Sequence, residues 1–369
     1  MNFNQMKLSK NKRFKTKLLA SKVYKIKPHK PQIEKAFIQI PYQSKRCIQA
    51  TDQHLDRPIV SVVIPSYNCV HLLPETIASV QAQSYPDWEL LIINDGSTDD
   101  TEIQIKHLLE NLSDDRIQLI SKSNRGVSNT RNFGANLAQG EIIAFLDADD
   151  RWLPDHLETH VNRFIHQPEV GISFGRVEFL TAGGERTGKT TQKYLHPIPS
   201  HHFLSTNPTV TTSNLLVRRS IFKALQGFDE SINHSEDMDF LFRASHLTTI
   251  EGVDRVLVQY RIQTTGLSST LEKMEQGWSH LIDKARQSHP DLVDRHYNAA
   301  HTAQLLYLAR QTLRLNLPAH LGLDYLHRSI RSHWPSVVLK PRSILMTIAL
   351  YAKYFQLTRL HASLSKYFS

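Results

Sequence analysis

The sequence predicts an α/β fold, a mostly parallel central sheet covered by helices, with a helical extension at its C-terminal end. Three observations predict it. Short apolar runs rich in β-branched residues alternate with helix-patterned segments from Val60 to Asp150. Each apolar run stops at a polar cluster. From Thr270 onward the pattern is helical, with only short Pro or Gly interruptions.

The elements follow in order. "VSVVIP" (60–65) is a continuous apolar run closed by Pro65, as expected of a strand buried on both faces. "LLPETIASVQAQS" (72–84) has helical spacing through Leu72, Leu73, Ile77 and Val80. "WELLIIND" (88–95) is a second buried strand. A helix then follows, with Ser97 or Thr98 as its expected N-cap and acids in its first turn. "RIQLISK" (116–122) is a third strand, and "GVSNTRNFGANLAQG" (126–140) a helix expected to close at Gly140 in the C′ position. "EIIAFLDADD" (141–150) is the fourth strand. Beyond it, "EVGISFGRVEFLTAGGE" (169–185) predicts strands turning at Gly183-Gly184, and 211–231 a strand and a helix ending at Gly227. "SEDMDFLFRASH" (235–246) predicts a helix with Ser235 as N-cap, and "VDRVLVQYRI" (253–262) a last strand.

This divides the 369 residues into a basic arm (1–57), an α/β domain (58–268) and a helical region (269–369). The net charge of +9 belongs to the arm. Residues 1–46 hold thirteen Lys/Arg and one acid, Glu34, whereas the rest holds 31 basic and 34 acidic residues. Such an arm suits an anionic membrane surface, and the negative body argues against nucleic acid, as do aromatic residues too scattered to form a stacking surface. The last segment, 342–368, is amphipathic and basic, with Ile344, Leu345, Ile348, Ala352 and Phe355 on one side. That pattern fits peripheral membrane contact or a helical bundle. No run is long and apolar enough to span a bilayer and the N-terminus lacks an apolar signal core, so a cytoplasmic location is expected. Two cysteines, Cys47 and Cys69, make no disulfide framework. No His-Cys grouping has zinc spacing, and most of the twenty histidines read as surface residues.

In a doubly covered parallel sheet, ligands bind beyond the carboxyl ends of the strands. Four such ends are polar here: "PSYN" (65–68), "NDGSTD" (94–99), "SNRG" (123–126) and "DADD" (147–150). Three carboxylates within four residues, Asp147, Asp149 and Asp150, call for a positive partner. If the extended geometry persists, Asp147 and Asp149 share a side and fit a hard cation, Mg²⁺ or Mn²⁺. The alternative is that Asp149 or Asp150 caps the next turn. Asp95 suits an acceptor for a base imide N–H, and Arg131 a fork of donors for a base or phosphate. Glu236 and Asp237 open a helix whose dipole favours their ionised form, so either suits a general base; Asp239 faces another direction.

In order and spacing, the blocks "VSVVIPSYNCVHLLPETIASVQAQSYPDWELLIINDGSTDDT", "NRGVSNTRNFGANLAQGEIIAFLDADDRWLPDHLE" and "TSNLLVRRSIFKALQGFDESINHSEDMDFLFRAS" resemble the family 2 inverting glycosyltransferases of bacterial type, over residues 59–265. The resemblance implies the GT-A fold and a nucleotide-sugar donor, usually UDP-linked. It implies that Pro65, Tyr67, Asp95 and Arg131 line the nucleotide pocket, with Asn68 of the same cluster counted among them. Asp147 would lie near ribose and metal, Asp149 would be the principal Mg²⁺ or Mn²⁺ ligand, and Asp237 of the Glu236-Asp237 pair the catalytic base. A glycan or lipid-linked acceptor is implied, in polysaccharide or envelope glycan synthesis.

Two positions depart from the family's pattern. Gln263 stands where many relatives carry a His after a "YR" strand, and Asn94 replaces the first Asp of "DDGS". The first departure leaves open a catalytically impaired binding or scaffold subunit. A nucleotidyltransferase would need a glycine- and lysine-rich loop after the first strand, and "PSYNCVHLLPET" has neither residue. Acceptor recognition is expected in residues 170–235 and in the C-terminal helices.

Overall fold

The structure is a computed structural model that describes residues 59–194, 198–263, 270–338 and 341–368. The basic arm and Cys47 lie outside the described residues.

Nine strands form one mixed sheet among the described residues. In chain order the first elements are β1 (Val60–Ser66), α1 (Leu73–Gln81), β2 (Trp88–Asp95), α2 (Thr101–Leu112), β3 (Ile117–Lys122), α3 (Val127–Leu137) and β4 (Ile142–Phe145). They continue with β5 (Arg151–Trp152), α4 (His156–His166), β6 (Val170–Leu180), β7 (Arg186–Thr190), β8 (Leu216–Arg218), α5 (Arg219–Ala224), α6 (Glu236–Ala244) and β9 (Thr249–Arg261). The C-terminal helices are α7 (Leu271–Ser288), α8 (Pro290–Arg314), α9 (Ala319–His333), α10 (Pro335–Val338) and α11 (Pro341–Phe368). The strand order is β3-β2-β1-β4-β8-β6-β9-β5, with β7 paired to β6. The four strands from which a parallel sheet is predicted are parallel. Beyond them β8 runs antiparallel to both β4 and β6, so the second half of the sheet is mixed.

Period-2 alternation distributes the core. Val63, Leu91, Ile93, Ile143 and Phe145 pack on one face, and Val62, Ile64, Leu90, Ile92 and Ala144 on the other. The parallel strands are apolar throughout because helices cover both faces. Helix α3 lies hard against the sheet at Gly134, where a Cβ would come within 2.5 Å of Val63 Cγ1. On that side Trp278, Leu281 and Ile282 of α7 join the same core, which ties the C-terminal helices to the α/β domain. A separate cluster holds α8, α9 and α11 together through Leu305, Leu308, Leu326 and Leu350. Among the described residues no helix is long and apolar enough to cross a membrane.

Some local expectations are corrected. Helix α2 starts later than expected, with Asp100 at the N-cap position; Ser97 and Thr98 instead bond to Asn68. Gly140 does not close α3, which ends at Leu137 with Ala138 as C-cap. Its glycine is required by close approach, since a Cβ would lie 2.4 Å from the Ile59 carbonyl oxygen. Ser235 holds the N-cap position of α6, but its hydroxyl donates to the His234 carbonyl oxygen rather than capping. His156 and His160 are fully buried, and burial holds both well below the usual imidazole range, neutral.

Candidate active site

The loops after β1, β2, β3 and β4 open on one side of the sheet. After β1, Asn68 adopts a left-handed φ of 50°, which Asn tolerates better than most residues. Its Oδ1 accepts the Thr98 N–H at 2.8 Å and its own N–H donates to Ser97 Oγ at 3.0 Å, so it fastens the first loop to the second. Tyr67 beside it is exposed, and Pro65 half-buried. At the end of β2, Asp95 is buried. Its carboxylate accepts from Lys122 Nζ, from the Arg125 N–H at 3.0 Å and from the Gly126 N–H at 2.9 Å, the last two at the entry to α3. Asp95 thus fixes the start of α3.

The positive partner that the strand-end carboxylates need is Arg131. It is buried one turn into α3, with one nitrogen 2.6 Å from Asp147 Oδ1 and another 3.1 Å from Glu236 Oε1. Burial alone would lower its pKa, but Asp147 and Glu236 raise it above the usual guanidinium value. The sequence reading gave this fork to a base or phosphate. The structure gives it two carboxylates, and so joins the end of β4 to the start of α6.

Residues 147–150 do not stay extended. The Asp150 N–H donates to the Asp147 carbonyl oxygen at 3.1 Å, which makes a turn and gives each carboxylate its own surroundings. Asp147 accepts from Arg131 and, at 3.4 Å, from Thr211 Oγ1. Asp150 caps nothing. It is completely buried and accepts from Ser213 Oγ at 2.6 Å, Thr211 Oγ1 at 3.2 Å and the Arg261 N–H at 2.9 Å. Asp150 thereby holds β9 and the segment before β8 onto the end of β4. Asp149 between them is half-buried and receives a hydrogen bond from the Gln263 side chain. Burial, then the neighbouring Asp147 charge, pushes its carboxyl up to about 6. Arg261 closes this corner, donating to the Asp149 carbonyl oxygen at 3.0 Å and pairing with Glu75 at 2.5 Å.

At the head of α6, Glu236 faces Arg131, and Asp237 turns to the other side. Asp237 accepts from Asn207 Nδ2 at 2.5 Å and from the Met238 N–H at 2.7 Å. Burial, then the adjacent Glu236 charge, pushes its carboxyl up to about 7. Asp237, Asn207 and Tyr260 line a cavity of about 820 Å³. Asp239 is structural: it pairs with Arg243 at 2.7 Å and Lys284 at 3.1 Å.

Asn207, Thr211, Ser213 and Glu75 were not singled out from sequence. Each acts on a carboxylate or arginine far away in the chain, and no local pattern marks such a partner.

Among the described residues no three His, Cys, Asp or Glu side chains converge on one point, so a hard divalent cation would have Asp149 as its carboxylate here. Asp149 is a carboxylate in a site where Arg131 is already shared by two acids, and the remaining negative charge is crowded and partly desolvated. One or two protein carboxylates are what Mg²⁺ or Mn²⁺ requires when substrate phosphates and water supply the other oxygens.

Comparison with known proteins agrees with this architecture. Residues 61–226 match the family Glycosyl transferase family 2. The chain is 30% identical over 217 residues to a Bacillus subtilis protein named "Putative teichuronic acid biosynthesis glycosyltransferase TuaG", covering 58% of this chain and 82% of that one. It is 26% identical over 234 residues to the Escherichia coli UDP-Glc:alpha-D-GlcNAc-diphosphoundecaprenol beta-1,3-glucosyltransferase, covering 62% of this chain and 87% of the other. Similarity to the Pasteurella multocida hyaluronan synthase, 27% identical over 59% of this chain, spans only 22% of that longer protein. Among solved structures, the Pyrobaculum calidifontis mannosyltransferase in complex with GDP-Man and Mn²⁺ superposes with a TM-score of 0.55 at 19% identity, covering 83% of this chain and 84% of its own. The fold is the GT-A fold. The chain belongs to glycosyl transferase family 2.

Proposed function

We propose that the protein is an inverting glycosyltransferase that moves a sugar from a nucleotide-diphosphate donor, a UDP-sugar, to a hydroxyl of a glycan or lipid-linked acceptor in polysaccharide or envelope glycan synthesis. The observation that carries the reading is Asp237, a partly desolvated carboxylate raised to about 7 and set between the crevice and a large cavity. A base with a pKa near the working pH is both ionised and able to take a proton.

In this reading the nucleotide lies along the ends of β1 and β2, against Pro65, Tyr67, Asn68 and Asp95. Asp149 would hold Mg²⁺ or Mn²⁺, which when bound neutralises charge on the donor diphosphate. Asp237 removes the proton from the acceptor hydroxyl. That oxygen bonds to the anomeric carbon as the bond to the diphosphate breaks, and the nucleoside diphosphate leaves from the opposite face with inversion. Asn207 aims the base through its 2.5 Å hydrogen bond. Arg131 is a positioning residue: by holding Asp147 and Glu236 it fixes the distance between the donor end and the base.

Peripheral membrane contact belongs to the same reading. It is supported by α11, which leaves Ile344, Leu345, Ile348 and Phe355 exposed beside Arg342 and Lys353.

The test is a panel of UDP-, GDP- and dTDP-sugars with Mn²⁺ or EDTA, followed by transfer and by calorimetric donor binding, for wild type and Asp149→Ala. Metal-dependent use of one donor, abolished by Asp149→Ala, is expected. If no nucleotide sugar binds in any condition, the reading fails.

A further inference from the structure

The cavity beyond Asp237 is walled by the C-terminal helices, and its lining carries a charge pattern that the donor chemistry does not use. Arg310 and Arg342 line it, from α8 and the start of α11. Ala303, Tyr307, Arg310 and Arg314 follow the spacing of a single helix face, so Arg314 stands on the face of α8 that bears Tyr307. Its charge acts on the hydroxyls of both Tyr307 and Tyr260. Arg310 and Arg342 therefore line one edge of the cavity, and Arg314 stands one turn further along the same face of α8. Among the described residues none of the three is paired with a carboxylate, and Arg310 and Arg342 act on each other as like charges.

This is unlike the arginines around the catalytic crevice. Arg131, Arg151, Arg243 and Arg261 each have an acid partner. Gathering like charges without a counter-ion costs energy that a bound anion offsets. Apolar side chains supply much of the remaining wall, among them Val210, Met274, Leu306 and Met346. Next to Arg342, the exposed Ile344, Leu345 and Ile348 extend the apolar surface outward along α11.

We propose that this cavity is the acceptor site and that the acceptor is an amphiphile, a sugar joined through phosphate to an apolar chain. The phosphate sits on Arg310, Arg314 and Arg342, the sugar hydroxyl reaches Asp237, and the chain leaves along Leu306, Met346 and the outer face of α11. The inference rests on the reading of Asp237 as the base, because that is what makes the cavity an acceptor site.

Binding to the full chain tests it, using calorimetry with farnesyl diphosphate, farnesol, inorganic pyrophosphate and, separately, UDP with Mn²⁺. All three arginines are exposed, so their replacement leaves the core intact. Farnesyl diphosphate is expected to bind at least about tenfold more tightly than farnesol or pyrophosphate, because charge-assisted and apolar contacts then act together. The triple variant Arg310→Ala, Arg314→Ala, Arg342→Ala should weaken it about tenfold or more and leave UDP within about twofold, while the triple Lys variant recovers most of the loss. Three results overturn the proposal. Farnesyl diphosphate binding that ignores the arginines removes the anion site. Pyrophosphate binding as tightly as farnesyl diphosphate removes the apolar chain. An equal loss of UDP binding assigns the arginines to the donor. Absence of UDP binding in the wild type would instead sink the nucleotide-sugar reading, with the farnesyl diphosphate titration still judging the cavity.

Discussion

The turn after β4 and the start of α6 each place acidic residues side by side, and in both places adjacent carboxylates have opposite fates. In the turn, Asp150 is closed off from solvent and takes three donors from Thr211, Ser213 and the Arg261 backbone, whereas Asp149 stays half-buried with the Gln263 amide. At α6 both residues line the cavity, with Glu236 buried and tied to Arg131 and Asp237 half-buried and held by Asn207. Adjacent residues thus divide into one that builds the crevice and one left available for chemistry. A carboxylate whose acceptors are filled by the fold holds structure. Burial pushes Asp150 well above the usual carboxylate range too, so what sets Asp149 and Asp237 apart is that they are only half-buried, at the crevice and the cavity.

Substitutions can break that division. Asp237→Asn keeps the shape and removes the base, so transfer should fall by about 10³-fold while donor binding changes little. Comparable loss of donor binding would show that Asp237 serves the nucleotide instead. Asp149→Ala should reduce transfer by about 10²-fold and weaken the Mn²⁺ dependence of donor binding, read by calorimetry with and without the ion. Asp150→Ala leaves Ser213 Oγ, Thr211 Oγ1 and the Arg261 N–H without their acceptor, at a cost of about 2–4 kcal/mol in urea unfolding. An unchanged midpoint would mean that this network contributes nothing. Arg131→Lys puts a point charge where a fork spans two acids, and should lower kcat about tenfold with the fold retained. Because Lys keeps the positive charge, the acidic limb of the rate profile should stay near its wild-type position, which separates lost geometry from lost charge. The smallest effect is expected for Gln263→His, which offers an imidazole beside Asp149 and should tighten Mn²⁺ by a few-fold.

The same contrast explains what was legible in the sequence. The strands of the first half could be read because helices on both faces make them continuously apolar, and their polar ends mark the crevice. Asp149, Asp237 and Arg131 stood out because they interrupt or border those patterns. The sequence leaves a cap at Asp150 open as an alternative because its partners, Thr211 and Ser213, are more than sixty residues away and join it only through the antiparallel strand β8. The acid that Arg131 holds at α6 was hidden for a similar reason, since Glu236 lies 105 residues further along. Gly140 looked like a helix stop because glycine does that work often, and the Ile59 carbonyl that requires it belongs to another strand. The cavity was not legible at all. It forms where α8 and α11 come back over α6, and helical periodicity reveals which face is apolar but not what it meets.

The central claim, that Asp237 is the base, is tested most directly by the pH dependence of kcat/KM for sugar transfer between pH 5.5 and 9. A carboxyl raised to about 7 is protonated below that pH and ionised above it. The rate should therefore rise about tenfold per pH unit on the acidic side and level off above a midpoint near 7. Asp237→Asn should lose this limb along with the activity. A profile that stays flat down to pH 5.5 in the wild type, or a limb that survives in Asp237→Asn, would contradict the account.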